Sequence, residues 1–410
     1  MTAYTQTAES APKKKKRRML WTMPARIDMP IFWSMFVLAV FGLLMIASAS
    51  MGSTVGKPGR LALIIVKQIV FLVFGYLAQC WVENHFKVDD LRTDKYTLLM
   101  FVMFGMLLFC LAFKSTSGAK AWIRVPVSGV DISIQPSEFT KIISYLTVAA
   151  YCGDIRRNDL RGFDLWKRPF FIIMAYVGII LGLQNDLGSA VVVFLVGAIT
   201  MLIPANKKLK GFQIFIWGAL LVIFAIVVFL LETEQGNAIV EKLPMADYQK
   251  NRILSAVNPF TDLYNTGYQL VNGLVSFASG GWKGLGFGNS VRKYTDFPAA
   301  NTDFILAIVV EETGLIGFGL IFIPYMIIII QLFRYAMKME SERGRIILVG
   351  TAMYLMVHCL FNIGGVTGMI PLTGVPLLMI SSGGSSTLSF MLSIGLAQAV
   401  ICAWRRGDLA

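Results

Sequence analysis

The chain has 410 residues, 56% of them hydrophobic, with a mean hydropathy of +0.66; a soluble domain is nearer ~45–50% apolar. Thirty-seven Lys and Arg against 24 Asp and Glu leave a net charge of +13. The cations fall in short clusters between long apolar runs, which argues against a nucleic-acid partner and for a membrane protein in contact with anionic lipids.

Residues 1–25 form a polar tail carrying Lys13–Lys16, Arg17 and Arg18, and its composition predicts disorder. A polytopic membrane domain is expected over 26–406. Its first run, Pro30–Ser50, is uncharged and spans a core of roughly 30 Å at ~1.5 Å per residue. It is too long for a cleavable signal peptide. Further runs are Leu61–Val82, Tyr96–Phe113, Phe139–Cys152, Phe170–Leu183, Leu187–Ile203, Phe212–Leu231, Phe304–Phe333, Ile346–Ile363 and Leu377–Trp404. They predict an all-α integral membrane protein of about ten transmembrane helices, the fourth and fifth being short. Basic residues gather in alternate loops: Lys87, Arg92 and Lys95; Arg156, Arg157, Arg161, Lys167 and Arg168; Lys207, Lys208 and Lys210; Arg334, Lys338, Arg343 and Arg345; Arg405 and Arg406. The positive-inside rule then puts both termini in the cytoplasm. Lys114–Ser137 and residues 232–301 face outward, the latter as a large extracellular loop between helices 7 and 8. Long loops more often carry function than stability, and the glycines of this one (Gly280, Gly281, Gly284, Gly286, Gly288) allow tight turns against the membrane face. The five cysteines lie in or at the ends of apolar runs and the two histidines are far apart, so neither a disulfide framework nor a metal site is indicated.

Chemistry-bearing residues cluster at five places. In Asn301-Thr302-Asp303-Phe304, Asp303 is either a helix N-cap or a general base at the mouth of the bundle. Glu311 and Glu312 follow about 12 Å deeper on the same helix, where carboxylates usually face a cavity or a partner. Glu311 is roughly 80° round from Asp303, so the two need not share one site. In Gln135-Pro136-Ser137-Glu138-Phe139-Thr140-Lys141, Glu138 and Lys141 are three apart and can pair. In Gln184-Asn185-Asp186-Leu187-Gly188-Ser189, Asp186 reads first as a cap of the sixth helix. The Gly- and Pro-rich stretches 362–376 and 381–386 break the helix between the last two spans, and irregular backbone at membrane depth implies protein burial or a wet cavity.

These motifs, in this order, resemble the SEDS family, the group containing FtsW, RodA and SpoVE. The marks run from about Ile31 to Arg406: Ser48-Ala49-Ser50, Gly118-Ala119-Lys120-Ala121-Trp122-Ile123, Gln135-Pro136-Ser137-Glu138, Gln184-Asn185-Asp186-Leu187-Gly188, Gly267-Tyr268-Gln269, Asn301-Thr302-Asp303-Phe304-Ile305, Glu311-Glu312-Thr313-Gly314 and Ser382-Gly383-Gly384-Ser385-Ser386. The chain departs from the usual pattern at Ala121 (Arg), Asn185 (Pro), Ala299 (Glu), Asn301 (His) and Asn272-Gly273 (Gln-Ser). Gly288-Asn289-Ser290-Val291-Arg292-Lys293 resembles the division-type FtsW members of Gram-positive bacteria more than RodA.

The resemblance implies an inverting glycosyltransferase, a peptidoglycan polymerase that uses lipid II, an undecaprenyl-pyrophosphate-linked disaccharide pentapeptide, to build β-1,4 glycan for septal wall synthesis. It implies Asp303 as the catalytic base. Substrate-binding candidates are Glu138, Lys141, Asp186, Arg124, Lys250, Arg252, Thr302, Glu311 and Ser385, with Lys293 a further candidate cation for the pyrophosphate. No cofactor is required by the sequence; a divalent cation, Mg or Mn, is compatible with pyrophosphate chemistry, and no metal ligands are assigned. The implied partners are a class B penicillin-binding protein that supplies cross-linking, other division proteins and membrane lipids; the implied location is the bacterial cytoplasmic membrane at the division septum. Leu315–Ile330, with Gly317 and Gly319, and Ile346–Phe361 are candidate faces for that transpeptidase. The alternatives are a RodA-type elongation polymerase of the same chemistry, a lipid II flippase without polymerase activity, and a scaffold that only recruits a transpeptidase.

Overall fold

The computed structural model describes residues 26–409 apart from 116–117, 128–129, 155–161, 243–246, 266 and 296. The basic tail 1–25 and the cations Arg156, Arg157 and Arg161 lie outside the described residues. Helices follow the apolar runs: α1 (Met29–Ser53), α2 (Pro58–His85), α3 (Asp94–Phe109), α4 (Pro136–Cys152), α5 (Gly162–Gly178), α6 (Leu187–Thr200), α7 (Lys210–Glu232), α11 (Ile305–Lys338), α12 (Glu342–Val366) and α13 (Gly384–Arg406). Between α7 and α11 lie three shorter helices, α8 (Glu234–Lys242), α9 (Asp247–Val257) and α10 (Tyr268–Gly280). Among the described residues eight helices are long and apolar enough to cross a membrane. α4 and α6, of 17 and 14 residues, are the two of the ten expected spans outside these eight; the fifth run, expected to be short, lies in a 22-residue span, Gly162–Leu183, and the sixth is short instead.

α4 is enclosed by protein rather than lipid. Glu138, Thr140, Lys141, Ser144 and Thr147 are all buried along it, and every one finds a hydrogen bond or ion pair. That lining explains why the run looked short: a helix with no lipid-facing side tolerates polar residues that lower its hydropathy. α12 and α13 are the most enclosed long helices, 72% and 83% buried over their apolar windows. α7 is the opposite, 6% buried, with Ile214, Phe215, Trp217, Leu221 and Phe224 facing outward.

Two segments between the apolar runs acquire structure that those runs did not show. Within 114–137 an antiparallel hairpin forms, β1 (Ile123–Val127) with β2 (Val130–Ile134), pairing Ile123 with Ile134 and Arg124 with Ser133. The structure is nearly all-helical as expected, with one two-stranded ribbon added. The 232–301 segment folds back onto α11. That helix is broken at Gly314 (φ 65°, ψ −161°), and the turn opened by the break is stitched by the glycine-rich stretch. The amides of Leu285 and Gly286 donate to the carbonyls of Glu311 and Glu312, at 2.9 and 3.0 Å. Those of Leu315 and Ile316 donate to Gly281 and Trp282, at 3.0 and 3.3 Å. No room remains for a Cβ at Gly314, which would stand 2.4 Å from the Trp282 backbone.

At the other end, α1 and α13 are tied together. Arg405 donates to the carbonyls of Arg26 and Ile27 at 2.9 and 2.7 Å and to the Asp28 carboxylate at 3.0 Å, while Tyr335 of α11 donates to Asp28 at 2.7 Å. Both ends of the described chain thus share one end of the bundle, which requires an even number of crossings between them.

Of the candidate partner faces, Leu315–Ile330 keeps an exposed side through Leu315, Ile316, Leu320 and Ile323. Ile346–Phe361 does not: most of that stretch is buried against α4, α6, α11 and α13, so it is core and not an outer flank. Gly317 is also buried, packed on its own helix at Thr313, whereas a Cβ at the half-buried Gly319 would meet only Ile323 Cδ1, at 3.9 Å.

Candidate active site

A cavity of about 590 Å³ opens at the end of the bundle away from the paired chain ends. Its walls include six separated segments: the first half of α2, the β2–α4 junction, the N-terminus of α6, α9, and the turns 298–303 and 371–386. Asp303, Glu138, Lys141, Asp186, Arg124, Arg252, Thr302 and Ser385 all line this one space.

The turn before α11 places Asp303. The amides of Thr302 and Phe304 both donate to the carbonyl of Ala299, at 3.0 and 3.1 Å, with Ala299 itself at φ 55°. Asn362 of α12 donates 2.8 Å to the Asp303 carbonyl and 3.0 Å to that of Val375, holding the turn to the 371–376 segment. The N-cap of α11 is Phe304, without a side-chain cap bond, so the Asp303 carboxylate is not spent on capping. A Cβ at Gly374 (φ 71°) would stand 3.2 Å from Arg252 Nη1 and 3.5 Å from Asp303 Oδ2. Glycine there lets carboxylate and guanidinium face the same point. Burial pushes the Asp303 carboxyl up to about 7; the nearby Arg252 cation opposes this, while Asp186 and Glu138 add to it.

Around it the polar lining is fixed. Asp186 caps α6 by accepting from the Ser189 amide at 3.0 Å and also accepts from Gln135 Nε2 at 2.8 Å. It therefore does both the capping expected of it and cavity lining. The Gln135 amide donates to Ser385 Oγ at 2.9 Å, joining the start of α4 to that of α13. Glu138 and Lys141 are buried and 2.6 Å apart, and Lys141 Nζ also lies 3.1 Å from His358 Nε2. With His358 Nδ1 3.1 Å from the Pro376 carbonyl, that ring donates at Nδ1 and accepts from the lysine at Nε2.

Two candidates lie elsewhere, a correction to the expected set. Lys250 points away, donating to the Glu241 carbonyl at 3.0 Å. Glu311 is buried against the folded-back segment, accepting from Ser290 Oγ at 2.5 Å and Ser276 Oγ at 3.5 Å. The further cation Lys293 is also absent from the cavity: it pairs with Glu312 at 2.7 Å, both fully buried, and donates to Ser48 of α1 at 3.0 Å. Helical angles gave the separation of Glu311 from Asp303 but could not reveal that residues 284–293 return to cover it. Three contributors were missed: Lys67 and Gln68 of α2, which line the cavity from inside an apolar run, and His358. A charged residue within a lipid-length run was the available signal for Lys67.

Three departures from the family pattern have local explanations. Asn185 sits at φ 56°, a left-handed conformation closed to Pro and tolerated by Asn. Asn301 donates to Ser50 Oγ of α1 at 3.3 Å, and Asn272 accepts from Arg292 at 3.1 Å.

Fold and cavity together define a multi-pass membrane protein with a charged, water-accessible site at one end. Residues 29–403 match the FtsW/RodA/SpoVE family model, described as "Cell cycle protein", and the chain belongs to that family. It is 31% identical over 394 residues to the probable peptidoglycan glycosyltransferase FtsW of Coxiella burnetii, covering 93% of this chain and 97% of the relative. The corresponding FtsW proteins of Lactococcus lactis (398 residues, 91% and 92% covered) and Geobacter metallireducens (377 residues, 90% and 93% covered) are each 30% identical. Among solved structures it resembles a chain from "Structural coordination of polymerization and crosslinking by a peptidoglycan synthase complex", with TM-score 0.66, 24% identity and coverage of 93% and 99%. It also resembles the rod shape determining protein RodA of Thermus thermophilus, with TM-score 0.55, 21% identity and coverage of 92% and 98%. Both likenesses support the fold.

Proposed function

We propose that the protein is a peptidoglycan glycosyltransferase that polymerises lipid II, with Asp303 as general base. The observation that carries this is the meeting of Asp303 and Arg252 in one cavity with Glu138, Lys141, Asp186 and Arg124. Asp303 takes the proton of the acceptor GlcNAc 4-hydroxyl; that oxygen attacks C1 of the donor MurNAc from the face opposite the undecaprenyl pyrophosphate. The C1–O bond breaks, its electron pair leaves with the pyrophosphate, and the configuration inverts. A carboxyl titrating near neutrality is well matched to this base role. The leaving pyrophosphate needs fixed positive charge. Arg124, Arg252 and Lys67 supply it on the cavity wall, while the charge of Lys141 is largely matched by Glu138. Among the described residues no three His, Cys, Asp or Glu side chains form a metal-binding group. A divalent cation acting here therefore takes most of its ligands from substrate phosphates and water.

The family relatives named FtsW favour septal wall synthesis over elongation. The likeness to a polymerase–cross-linking complex supports a class B penicillin-binding protein as partner, since among the described residues no segment outside the bundle is large enough to hold a transpeptidase domain. In a purified assay with labelled lipid II, Asp303→Asn lowers polymer formation by about 10²–10⁴-fold with expression and insertion unchanged. Near-normal polymer would remove Asp303 from the role. Lipid translocation without polymer by the unaltered protein would favour the flippase reading.

A further inference from the structure

A second cavity, of about 440 Å³, lies at the opposite end of the molecule, between the last turns of α11 and α13. It is lined by Gln331, Arg334, Tyr335, Met337, Lys338 and Trp404. Arg334 and Lys338 are one turn apart on α11 and exposed. Among the described residues neither has an acidic partner in an ion pair. The nearby charges are largely spent elsewhere: Asp28 is matched by Arg405 and Asp408 by Arg406, Glu342 accepts from the amides of Asp154 and Ala205, and the exposed Glu340 lies two residues beyond Lys338 without an ion pair to it. Trp404 and Tyr335 pack edge to face, 5.7 Å between ring centres, as amphipathic rings do at a headgroup boundary.

The same face of α11 continues away from the cavity as Ile330, Ile327 and Ile323, all exposed, at the i, i+4, i+7 spacing of one helical stripe counted from Ile323. An aliphatic track thus ends in two uncompensated cations beside a Trp–Tyr pair. We infer that this cavity holds the phosphate head group of an anionic phospholipid, with an acyl chain along the isoleucine track. The charge pattern selects a lipid over a partner's transmembrane helix, which would leave two cations without counter-ions at the boundary.

Native mass spectrometry of the purified full-length protein, titrated with phosphatidylglycerol, tests this. One high-affinity adduct is expected, weakened about tenfold or more in Arg334→Gln/Lys338→Gln, since a cation near an anionic head group contributes about 1 kcal/mol. Lys207→Gln/Lys210→Gln, with the same loss of charge elsewhere at the basic end, keeps the adduct. The inference is overturned if both double variants bind alike, if phosphatidylcholine of the same chains binds as tightly, or if glycerol phosphate displaces the lipid at equal concentration. Polymerase activity is not the readout, so the result is independent of the activity proposed for the first cavity.

Discussion

At the scale of single residues, the base role proposed for Asp303 sets the acid side of the pH response. A general base works deprotonated, and the Asp303 carboxyl is pushed up to about 7. Polymerisation should therefore rise with pH to a midpoint near neutrality and level off above it. Arg252 is the charge that lowers this value, so Arg252→Gln should move the acid limb to higher pH as well as weaken substrate binding. A pH–rate profile separates that shift from a uniform loss, and an unmoved limb would show that Arg252 does not act on Asp303. Glu138 and Lys141 make a different prediction. Removing one member of a buried pair strands the other charge, at a cost of about 3–5 kcal/mol. Either single change to Ala should thus lower thermal stability more than half as far as the double change does. Additive losses in the double-mutant cycle would show that the two act separately. This pair was legible from its three-residue spacing, as Asp303 was from its motif. His358 was not, because its partner lies 217 positions away in the chain.

At the scale of elements, the break in α11 explains why the glycines of 280–288 are needed. They are not phosphate binders but a strip of backbone that supplies the hydrogen bonds α11 gives up at Gly314. The same fold-back seals Glu311 and Glu312 beneath it, with Lys293 and Ser48 completing the buried cluster. Gly314→Ala forces a methyl onto the Trp282 backbone and a strained φ, a cost of roughly 1–3 kcal/mol or more. Its expected signature is a lower unfolding temperature in detergent together with protease sensitivity near Trp282; an unchanged melt would show that the stitched turn contributes little. Apolar run length located the long helices well, because lipid demands it. It located α4 to within three residues but understated it as a span and missed the hairpin, because both are judged by protein neighbours that a linear pattern does not display.

At the scale of the whole molecule, the cavity around Asp303 and the paired chain ends sit at opposite ends of α11, whose 34 residues cover about 50 Å. If the basic end is cytoplasmic, the cavity is external. Lys283, exposed in the folded-back segment, reports on this. Lys283→Cys should react with an impermeant thiol reagent in intact cells lacking an outer membrane, against a low background, since the five native cysteines are all buried. Labelling only after lysis would invert the topology. The membrane class was plain from composition, yet no linear feature showed that six distant segments would converge on Asp303.

The clamp of Arg405 on Arg26, Ile27 and Asp28 has one more consequence. Because the clamp sets the start of α1 beside the end of α13, these two points could be joined directly without moving the helices between them. The link between α11 and α12, Met339 to Ser341, lies at the same basic end. A circular permutant opened there and joined across the clamp would send every helix through the bilayer in its present direction. Both cavities would stay whole, and the order in which their walls emerge from the ribosome would change.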